Sequence, residues 1–286
     1  MKIYTAEEAG FCFGVKRALS LIEQLYEKEE NIEVYGQLIH NNTVLKNLEK
    51  KGINYIESLA NLDKNKKLII RTHGITLEEE RYLKQNNVLY EDATCPLVKK
   101  IHTIIEKIDQ SEHKIIIIGD KNHPEIKAIK SYSKNGIVIN SIEDIKKIEK
   151  MKSVAIVAQT TLDTDFFKKM IAAILDKIER VEIFNTICDA TKVRQEAVKK
   201  IAPKVDFVIV IGGKNSSNTK KLFHISKKIN PNTFHIEKSS ELENFELLNR
   251  FKLFNSVGIT AGASTPPEEL ENVKIFFKNL KLDKEI

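Results

Sequence analysis

Three cysteines are the residues of this 286-residue sequence with the clearest capacity for chemistry. They stand far apart, at Cys12, Cys95 and Cys188, and no two of them form a Cys-x-x-Cys pair. An odd number at such spacing does not make a disulfide framework, so we expect a reducing compartment. In that setting a thiol serves as a metal ligand, a nucleophile or a small buried apolar group.

Glycines and small polar residues recur at constant distances from these cysteines. A strand-like apolar run ends 24 residues after each cysteine, at Gly36, Gly119 and Gly212. Four residues beyond each glycine stand His40, His123 and Ser216, and six residues beyond it stand Asn42, Glu125 and Asn218. The next strand-like run of each unit ends at Thr72-His73-Gly74, Gln159-Thr160-Thr161 and Gly262-Ala263-Ser264, and here the distance from the glycine varies between the units, as loops permit. These agreeing offsets predict a triplicated unit of about 90 residues.

Strand-like runs alternate with amphipathic helical segments along the chain, which predicts an α/β fold with mostly parallel sheets. The helical segments that follow the cysteines are Val15–Glu27, Pro96–Ile108 and Val193–Ile201. The strand-like runs that precede the cysteines are Ile3–Tyr4, Val88–Tyr90 and Val181–Phe184. Together with the triplication, this pattern predicts three pseudo-symmetric small α/β lobes.

The position of the cysteines favours a metal centre. Ligands of parallel α/β units bind at the carboxyl ends of strands, where the next helix begins and its N-terminus favours a thiolate. Threefold repetition would bring three thiolates to one point, where they repel one another without a cation. A metal or an iron–sulfur cluster would supply it. Structural zinc prefers four ligands at short spacing and fits poorly, whereas a [4Fe–4S] cluster, which usually takes four cysteines, would have one open iron that can act as a Lewis acid. A buried apolar role for each cysteine is the alternative.

The turns after the glycines favour an anion and an acid. Gly-rich strand-to-helix turns with hydroxyls and amides suit phosphate, although N-capping alone also explains them. Glu125 follows Pro124 at a helix start and is either a favourable first-turn charge or a general acid. The candidate ligands of a compact anion such as diphosphate are His40, His73, His123, Ser216, Ser217, Asn218 and Ser264. No Walker A loop or G-x-G-x-x-G motif points to a nucleotide.

Composition limits the partners. There are 46 basic and 40 acidic residues, and the net charge of +6 is spread along the chain, so we expect no nucleic-acid partner. The N-terminal MKIYTAEEAG has no apolar segment typical of a signal peptide, and no apolar run approaches the ~20 residues of a membrane span. We therefore expect a cytoplasmic protein without a membrane partner.

Motifs along nearly the whole chain resemble those of the 4-hydroxy-3-methylbut-2-enyl diphosphate reductase family. The first half carries Gly10-Phe-Cys-Phe-Gly-Val-Lys-Arg-Ala18, His40-Asn41, Thr72-His73-Gly74, Asp92-Ala-Thr-Cys-Pro-Leu-Val98 and His123-Pro-Glu125. The second half carries Gln159-Thr-Thr-Leu162, Asn185-Thr-Ile-Cys-Asp-Ala-Thr191, Gly212-Gly-Lys-Asn-Ser-Ser-Asn218 and Gly258-Ile-Thr-Ala-Gly-Ala-Ser264. They stand in the order of the family.

The resemblance implies a role for each candidate residue. Cys12, Cys95 and Cys188 hold a [4Fe–4S] cluster with one open iron. Glu125, working with Thr160, delivers protons to the leaving hydroxyl, and His123 lies near the substrate. The residues that the resemblance assigns to substrate binding are His40, His73, His123, Thr160, Ser216, Ser217, Asn218 and Ser264.

The resemblance also implies the reaction and the lobes. The reaction is the reductive dehydroxylation of (E)-4-hydroxy-3-methylbut-2-enyl diphosphate to isopentenyl and dimethylallyl diphosphate, the last step of the methylerythritol phosphate route to isoprenoids. Ferredoxin or flavodoxin donates the electrons. The lobes surround the cluster and comprise residues 14–95, residues 96–192, and residues 193–286 completed by the N-terminal strand within residues 1–13.

Two other classes of function stay open at this point. A hydro-lyase of the aconitase kind would use an open iron without external electrons. A non-enzymatic module would bind zinc through its thiolates, or an anion, and would contain no acid-labile sulfide.

Overall fold

The computed structural model describes residues 1–28, 31–63, 65–110 and 113–282. Strands and helices alternate throughout these residues. The strands are β1 (Lys2–Thr5), β2 (Ile32–Tyr35), β3 (Asn54–Ile56), β4 (Lys67–Ile70), β5 (Tyr90–Asp92), β6 (Lys114–Ile118), β7 (Ile137–Ile139), β8 (Met151–Ala158), β9 (Ile178–Ile183), β10 (Phe207–Ile211), β11 (Thr233–Ile236) and β12 (Ser256–Ala261). The helices are α1 (Phe13–Glu27), α2 (Asn42–Lys50), α3 (Leu77–Gln85), α4 (Pro96–Asp109), α5 (Pro124–Ser131), α6 (Ile142–Lys146), α7 (Thr164–Leu175), α8 (Asp189–Ile201), α9 (Ser217–Ile229), α10 (Phe245–Phe251) and α11 (Pro267–Leu282).

The strands form three four-stranded parallel sheets with one shared topology. Their orders are β3-β2-β4-β5, β7-β6-β8-β9 and β11-β10-β12-β1. In each repeat the chain enters a central strand (β2, β6 or β10), passes to one edge (β3, β7 or β11) and returns to the second central strand (β4, β8 or β12). The other edge strand is β5, β9 or, in the third sheet, the N-terminal β1. We call the strands of each repeat, in this order, the first to the fourth. The switch of direction lies between the first and third strands, which is where parallel sheets bind ligands. The predicted α/β fold of three parallel-sheet lobes is confirmed.

Two compact units divide the chain. Unit 1 comprises Met1–Val15, His40–Lys46 and Asp189–Ile286 and contains the sheet of β1, β10, β11 and β12. Unit 2 comprises Lys16–Ile39 and Asn47–Cys188 and contains the other two sheets. The lobe boundaries 14–95, 96–192 and 1–13 plus 193–286 stay a prediction, and residues 283–286 of the last lobe lie outside the described residues.

The cores form because each sheet buries its apolar strands between helices. The central strands β6 and β10 are almost wholly aliphatic, and all five residues of β10 are buried. Such continuous apolar runs are typical of parallel strands covered on both faces. On one face of the unit 1 sheet, Phe207 stacks on Phe251 with ring centroids 4.9 Å apart. In the part of the chain that the structure describes, no helix has the length and apolar character needed to cross a membrane.

Backbone hydrogen bonds repeat with the glycine offsets. In each sheet the glycine directly after the first strand donates its N–H to the last carbonyl of the second strand. The pairs are Gly36 to Ile56 at 2.8 Å, Gly119 to Ile139 at 2.9 Å and Gly212 to Ile236 at 2.8 Å. The offset of 24 residues therefore marks the same point of the backbone in all three repeats.

Element boundaries differ from the prediction next to the cysteines. Helix α1 begins at Phe13 and α8 at Asp189, so each follows its cysteine directly. Strand β5 spans Tyr90–Asp92 and not Val88–Tyr90. Its acidic residues are tolerated because β5 is an edge strand whose residues are only half-buried, so the apolar run was the wrong signal there.

Candidate active site

The three cysteines occupy equivalent positions in the structure. All are thiols of intermediate burial, and each immediately precedes a helix. The N–H of each cysteine donates to a carbonyl in the turn after the third strand of its sheet. The pairs are Cys12 to Ala263 at 2.9 Å, Cys95 to Thr72 at 3.0 Å and Cys188 to Thr160 at 3.0 Å. One backbone arrangement therefore presents a thiol at the carboxyl edge of all three sheets.

Glu125 is a buried acid in unit 2. It lies in the first turn of α5, where His123 is the N-cap and Pro124 occupies the first helical position. Only 2% of Glu125 is exposed. Its two carboxyl oxygens accept the N–H and the hydroxyl of Thr160, each at 2.6 Å. Because the Thr160 carbonyl also accepts the Cys188 N–H, Thr160 joins the acid to a cysteine turn.

Burial sets the protonation of Glu125. Desolvation raises the pKa of this carboxyl above its ordinary value, and the two hydrogen bonds from Thr160 act in the opposite direction. Raising the pKa brings the carboxyl closer to the range in which it can hold and deliver a proton near neutral pH.

Glu125→Gln should change how stability depends on pH. A carboxyl whose pKa is raised in the folded state stabilises the fold fully below its unfolded pKa, near 4.5, and loses that contribution as pH rises through the folded pKa. In thermal unfolding of the metal-free protein, the variant should match wild type near pH 4 and have a higher Tm near pH 8. The control Glu268→Gln changes an exposed glutamate that also follows a proline at a helix start. A Tm difference that stays constant with pH contradicts the assignment.

His123 contacts this acid in unit 2, and His73 lies against the ring of His123. The Nδ1 atom of His123 accepts the N–H of Glu125 at 3.2 Å, so a neutral His123 carries its proton on Nε2. The rings of His73 and His123 meet edge to face with centroids 5.3 Å apart. His73 lies in the turn directly after β4. This turn is held in place by the neighbouring Thr72, whose hydroxyl donates to the Leu38 carbonyl at 2.7 Å.

The glycine-rich turn before α9 forms a polar cradle in unit 1. Gly212 has φ 141° in the region that favours glycine, and an added Cβ would lie 2.7 Å from the Thr265 hydroxyl. The Ser216 hydroxyl caps α9 by accepting the Thr219 N–H at 3.3 Å. Ser217 then begins the helix. The turn thus presents backbone N–H groups and hydroxyls at the N-terminus of α9, as phosphate sites do.

Asn218 is the strongest indication of a ligand in this cradle. Asn218 is 4% exposed, and neither its amide nitrogen nor its amide oxygen has a hydrogen-bond partner among the described residues. Buried polar groups without partners are costly, and a bound ligand that supplies partners removes the cost. A compact anion between the helix N–H groups and this side chain would accept a hydrogen bond from the amide nitrogen.

His40, Asn41 and Ser264 border the same cradle within unit 1. The Asn41 side chain donates to the Ser264 carbonyl at 2.8 Å and accepts the N–H of Thr43 at 3.0 Å at the start of α2. The Ser264 hydroxyl donates to the His40 carbonyl at 3.0 Å. An added Cβ on Gly213 would lie 2.6 Å from that carbonyl, so glycine permits the close approach.

Asn218→Asp should weaken anion binding. A carboxylate at this buried position would repel a bound phosphate and find no solvent to screen it. We expect about 10- to 100-fold weaker binding of inorganic diphosphate, which corresponds to roughly 1.4–2.8 kcal/mol. The matched control is Asn215→Asp, which adds the same charge at an exposed position of the same turn. Equal affinity of Asn218→Asp and wild type by calorimetry would show that Asn218 does not face the anion.

The structure places the predicted site residues as follows. Unit 1 contains Cys12, His40, Ser216, Ser217, Asn218 and Ser264, and unit 2 contains His73, Cys95, His123, Glu125, Thr160 and Cys188. Within the units it brings together Glu125 with Thr160, His73 with His123, and His40 with Ser264. The roles of these residues stay predictions.

Sequence reasoning missed several supporting residues. Thr219 and Thr265 line the Gly212 turn, and Asn41 ties the His40 segment to Ser264. Two arginines, Arg17 and Arg194, hold the chain ahead of cysteines. The arginines stand five and six residues after Cys12 and Cys188, so a longer comparison of offsets could have found them.

Comparison with known proteins supplies names for relatives. The model of the LytB protein family matches residues 3–278. The 4-hydroxy-3-methylbut-2-enyl diphosphate reductase of Aquifex aeolicus is 42% identical over 277 residues, covering 95% of this chain and 94% of its own. The protein of the same name from Campylobacter hominis is 44% identical over 268 residues, covering 93% of this chain and 94% of its own.

Solved structures agree with these relatives. One is a structure of (E)-4-hydroxy-3-methyl-but-2-enyl diphosphate reductase, described as the terminal enzyme of the non-mevalonate pathway. It is 40% identical, has a TM-score of 0.70, and the match covers 98% of this chain and 100% of that one. A second is the structure of the E-1-hydroxy-2-methyl-but-2-enyl-4-diphosphate reductase from Plasmodium falciparum. It is 32% identical, has a TM-score of 0.90, and the match covers 98% of this chain and 87% of that one. The chain therefore belongs to the LytB protein family.

Proposed function

We propose that the protein catalyses the reductive dehydroxylation of (E)-4-hydroxy-3-methylbut-2-enyl diphosphate to isopentenyl and dimethylallyl diphosphate. The reaction takes up two electrons and two protons, breaks the allylic C–O bond, releases water and forms one C–H bond. The observation that carries the proposal is the buried Glu125–Thr160 pair, whose threonine also binds the turn of Cys188. The names of the relatives, all reductases of this substrate, support it.

Cys12, Cys95 and Cys188 would hold a [4Fe–4S] cluster. Their chemistry suits it, because all three are thiols at equivalent backbone positions before helices. Three protein ligands match a four-iron cluster with one iron left without a protein ligand. When bound, the cluster supplies electrons and Lewis acidity at that open iron.

The diphosphate would bind in the polar cradle of α9. We assign Ser216, Ser217 and Asn218 to its oxygens, because the helix N-terminus and the buried amide there offer donors. His40, His73 and Ser264 complete the substrate-binding set. Holding the diphosphate away from the reacting carbon orients the substrate and lowers the entropic part of the barrier.

Glu125 would hold the proton that leaves with the hydroxyl as water. Its raised pKa favours the protonated carboxyl, and the Thr160 hydroxyl, 2.6 Å from Oε2, keeps it in one orientation. His123 would contact the substrate through Nε2, since its Nδ1 accepts the Glu125 N–H. Thr160 therefore has a positioning role and a contact with the substrate in this proposal.

An external carrier would supply the electrons. We assign ferredoxin or flavodoxin as the donor and the cytoplasm as the compartment. Three cysteine thiols, too far apart in sequence for a disulfide framework, support a reducing compartment, and the net charge of +6 complements an acidic carrier.

Anaerobic purification followed by a turnover assay tests the proposal. We expect brown protein with about four iron and four sulfide per chain, absorbance near roughly 400 nm, and formation of both diphosphate products only when a chemical reductant is added. Turnover of the substrate without a reductant would instead indicate a hydro-lyase. A colourless protein that contains zinc and no acid-labile sulfide would indicate a non-enzymatic module.

A further inference from the structure

Two arginines hold the chain directly ahead of two of the cysteines. Each lies on the helix that follows one cysteine and donates to at least one backbone carbonyl of the turn that leads to a different cysteine. Arg194 lies on α8, after Cys188, and holds the turn before Cys12. Arg17 lies on α1, after Cys12, and holds the turn before Cys95.

Arg194 is the more buried of the two, with 1% exposure. Within unit 1 its Nη2 donates to the Gly10 carbonyl at 2.7 Å, and its Nη1 donates to the Ala190 carbonyl at 2.8 Å. Gly10 stands two residues before Cys12. The guanidinium therefore ties the first turn of α8 to the segment that carries Cys12.

Arg17 repeats this arrangement within unit 2. Its Nη2 donates to the Asp92 carbonyl at 3.1 Å, and its Nη1 donates to the Thr94 carbonyl at 3.3 Å. The Asp92 carboxylate in turn accepts the Thr94 N–H at 2.8 Å and pairs with Lys99 at 2.6 Å. The segment before Cys95 is thus held in two ways. Its backbone carbonyls accept from Arg17, and its Asp92 side chain pairs with Lys99.

The turn before the remaining cysteine, Cys188, is held by a neutral side chain, that of Thr186. Ahead of Cys188, the Thr186 hydroxyl donates to the Ala158 carbonyl at 2.6 Å and accepts the Ala158 N–H at 2.8 Å. A hydroxyl therefore suffices to hold such a turn. A buried guanidinium costs far more to desolvate, and it stays charged at every physiological pH.

We propose that Arg194 and Arg17 are positioning residues that hold the Cys12 and Cys95 turns in the ligating arrangement, and that their charge stabilises the reduced cluster. The inference rests on the proposed [4Fe–4S] cluster. Reduction adds negative charge, so a cation held beside two of the three ligand turns raises the reduction potential. It also keeps the cysteine turns in place when iron is absent.

The test compares Arg194→Met, Arg194→Lys and Arg17→Met with wild type after anaerobic reconstitution. Arg180→Met, which removes an exposed arginine from β9, is the matched control. We expect both methionine variants to lose iron to a chelator about 10- to 100-fold faster than wild type, as is typical for residues that support metal ligands. Their cluster midpoint potentials should be lower, and Arg194→Lys, which keeps the charge, should restore the potential.

Three outcomes separate the possibilities. Wild-type protein that binds no iron or sulfide would defeat the proposed cluster, and the inference with it. Wild-type protein that loads normally, with Arg17→Met and Arg194→Met unchanged in iron loss and midpoint potential, overturns the inference alone. If Arg194→Met does not fold in the metal-free state, as judged by its Tm, the half-buried Arg17 decides by the same two measurements.

Discussion

Replacing Glu125 with glutamine is expected to lower turnover by about 100- to 10,000-fold, which is the usual contribution of a positioned general acid. Glutamine keeps the shape and can still accept the Thr160 N–H, but it has no proton to give to a leaving hydroxyl. Iron content and substrate KM should therefore stay near wild type while kcat falls. Steady-state kinetics with a saturating artificial reductant measure this split.

The control for this variant is Glu268→Gln, at the exposed proline–glutamate start of α11. It should leave kcat unchanged. Near-normal turnover of Glu125→Gln would falsify the acid assignment. A variant that lost its iron would show instead that Glu125 matters for the cysteine turn joined to it through Thr160.

Replacing any one cysteine with serine is expected to abolish stable iron binding and with it turnover. A serine hydroxyl has almost the volume of a thiol, but it is not ionised at neutral pH and is a poor ligand for a soft iron–sulfur cluster. Cys95→Ser is the cleanest case, because Cys95 is the N-cap of α4, a position where serine is favoured, and its backbone N–H can still donate to the Thr72 carbonyl. Iron and sulfide analysis, visible absorbance and turnover measure the effect.

Leu97→Ser is the matched control for Cys95→Ser. It introduces the same hydroxyl two residues further along α4, at a side chain that is 44% exposed. That protein should retain its colour and its activity. A Cys95→Ser protein with full iron content and full activity would refute the cluster assignment, whatever the effects of replacing the other two cysteines.

Much of the fold could be predicted from spacing. The constant offset between each cysteine and the next glycine located equivalent strand ends, and the structure shows one hydrogen bond repeated at all three. Long aliphatic runs such as β10 could be recognised as strands, because parallel strands that are covered on both faces consist almost entirely of apolar residues. Strand β5 was misplaced because an edge strand can carry Glu91 and Asp92 at half-buried positions.

The contacts of the site could not be predicted in the same way. Spacing gives the position of Glu125 on a helix, but that Thr160 binds both of its oxygens depends on how β6 and β8 pair. The burial of Asn218 depends likewise on the packing of α9. Arg194 was missed because a basic residue on a helix ordinarily lies in solvent, and only the tertiary structure reveals its carbonyl partners.

The pairing of the first strand with the last has a consequence for biosynthesis. Strand β1 lies in parallel register with β12, with Lys2 opposite Ser256. During synthesis the segment that carries Cys12 must therefore wait until β12 has left the ribosome before its sheet can close. Sheets that pair such distant segments close slowly. Iron delivered to the nascent chain would meet the Cys12 thiol before its sheet exists, so insertion of the proposed cluster would follow the synthesis of β12.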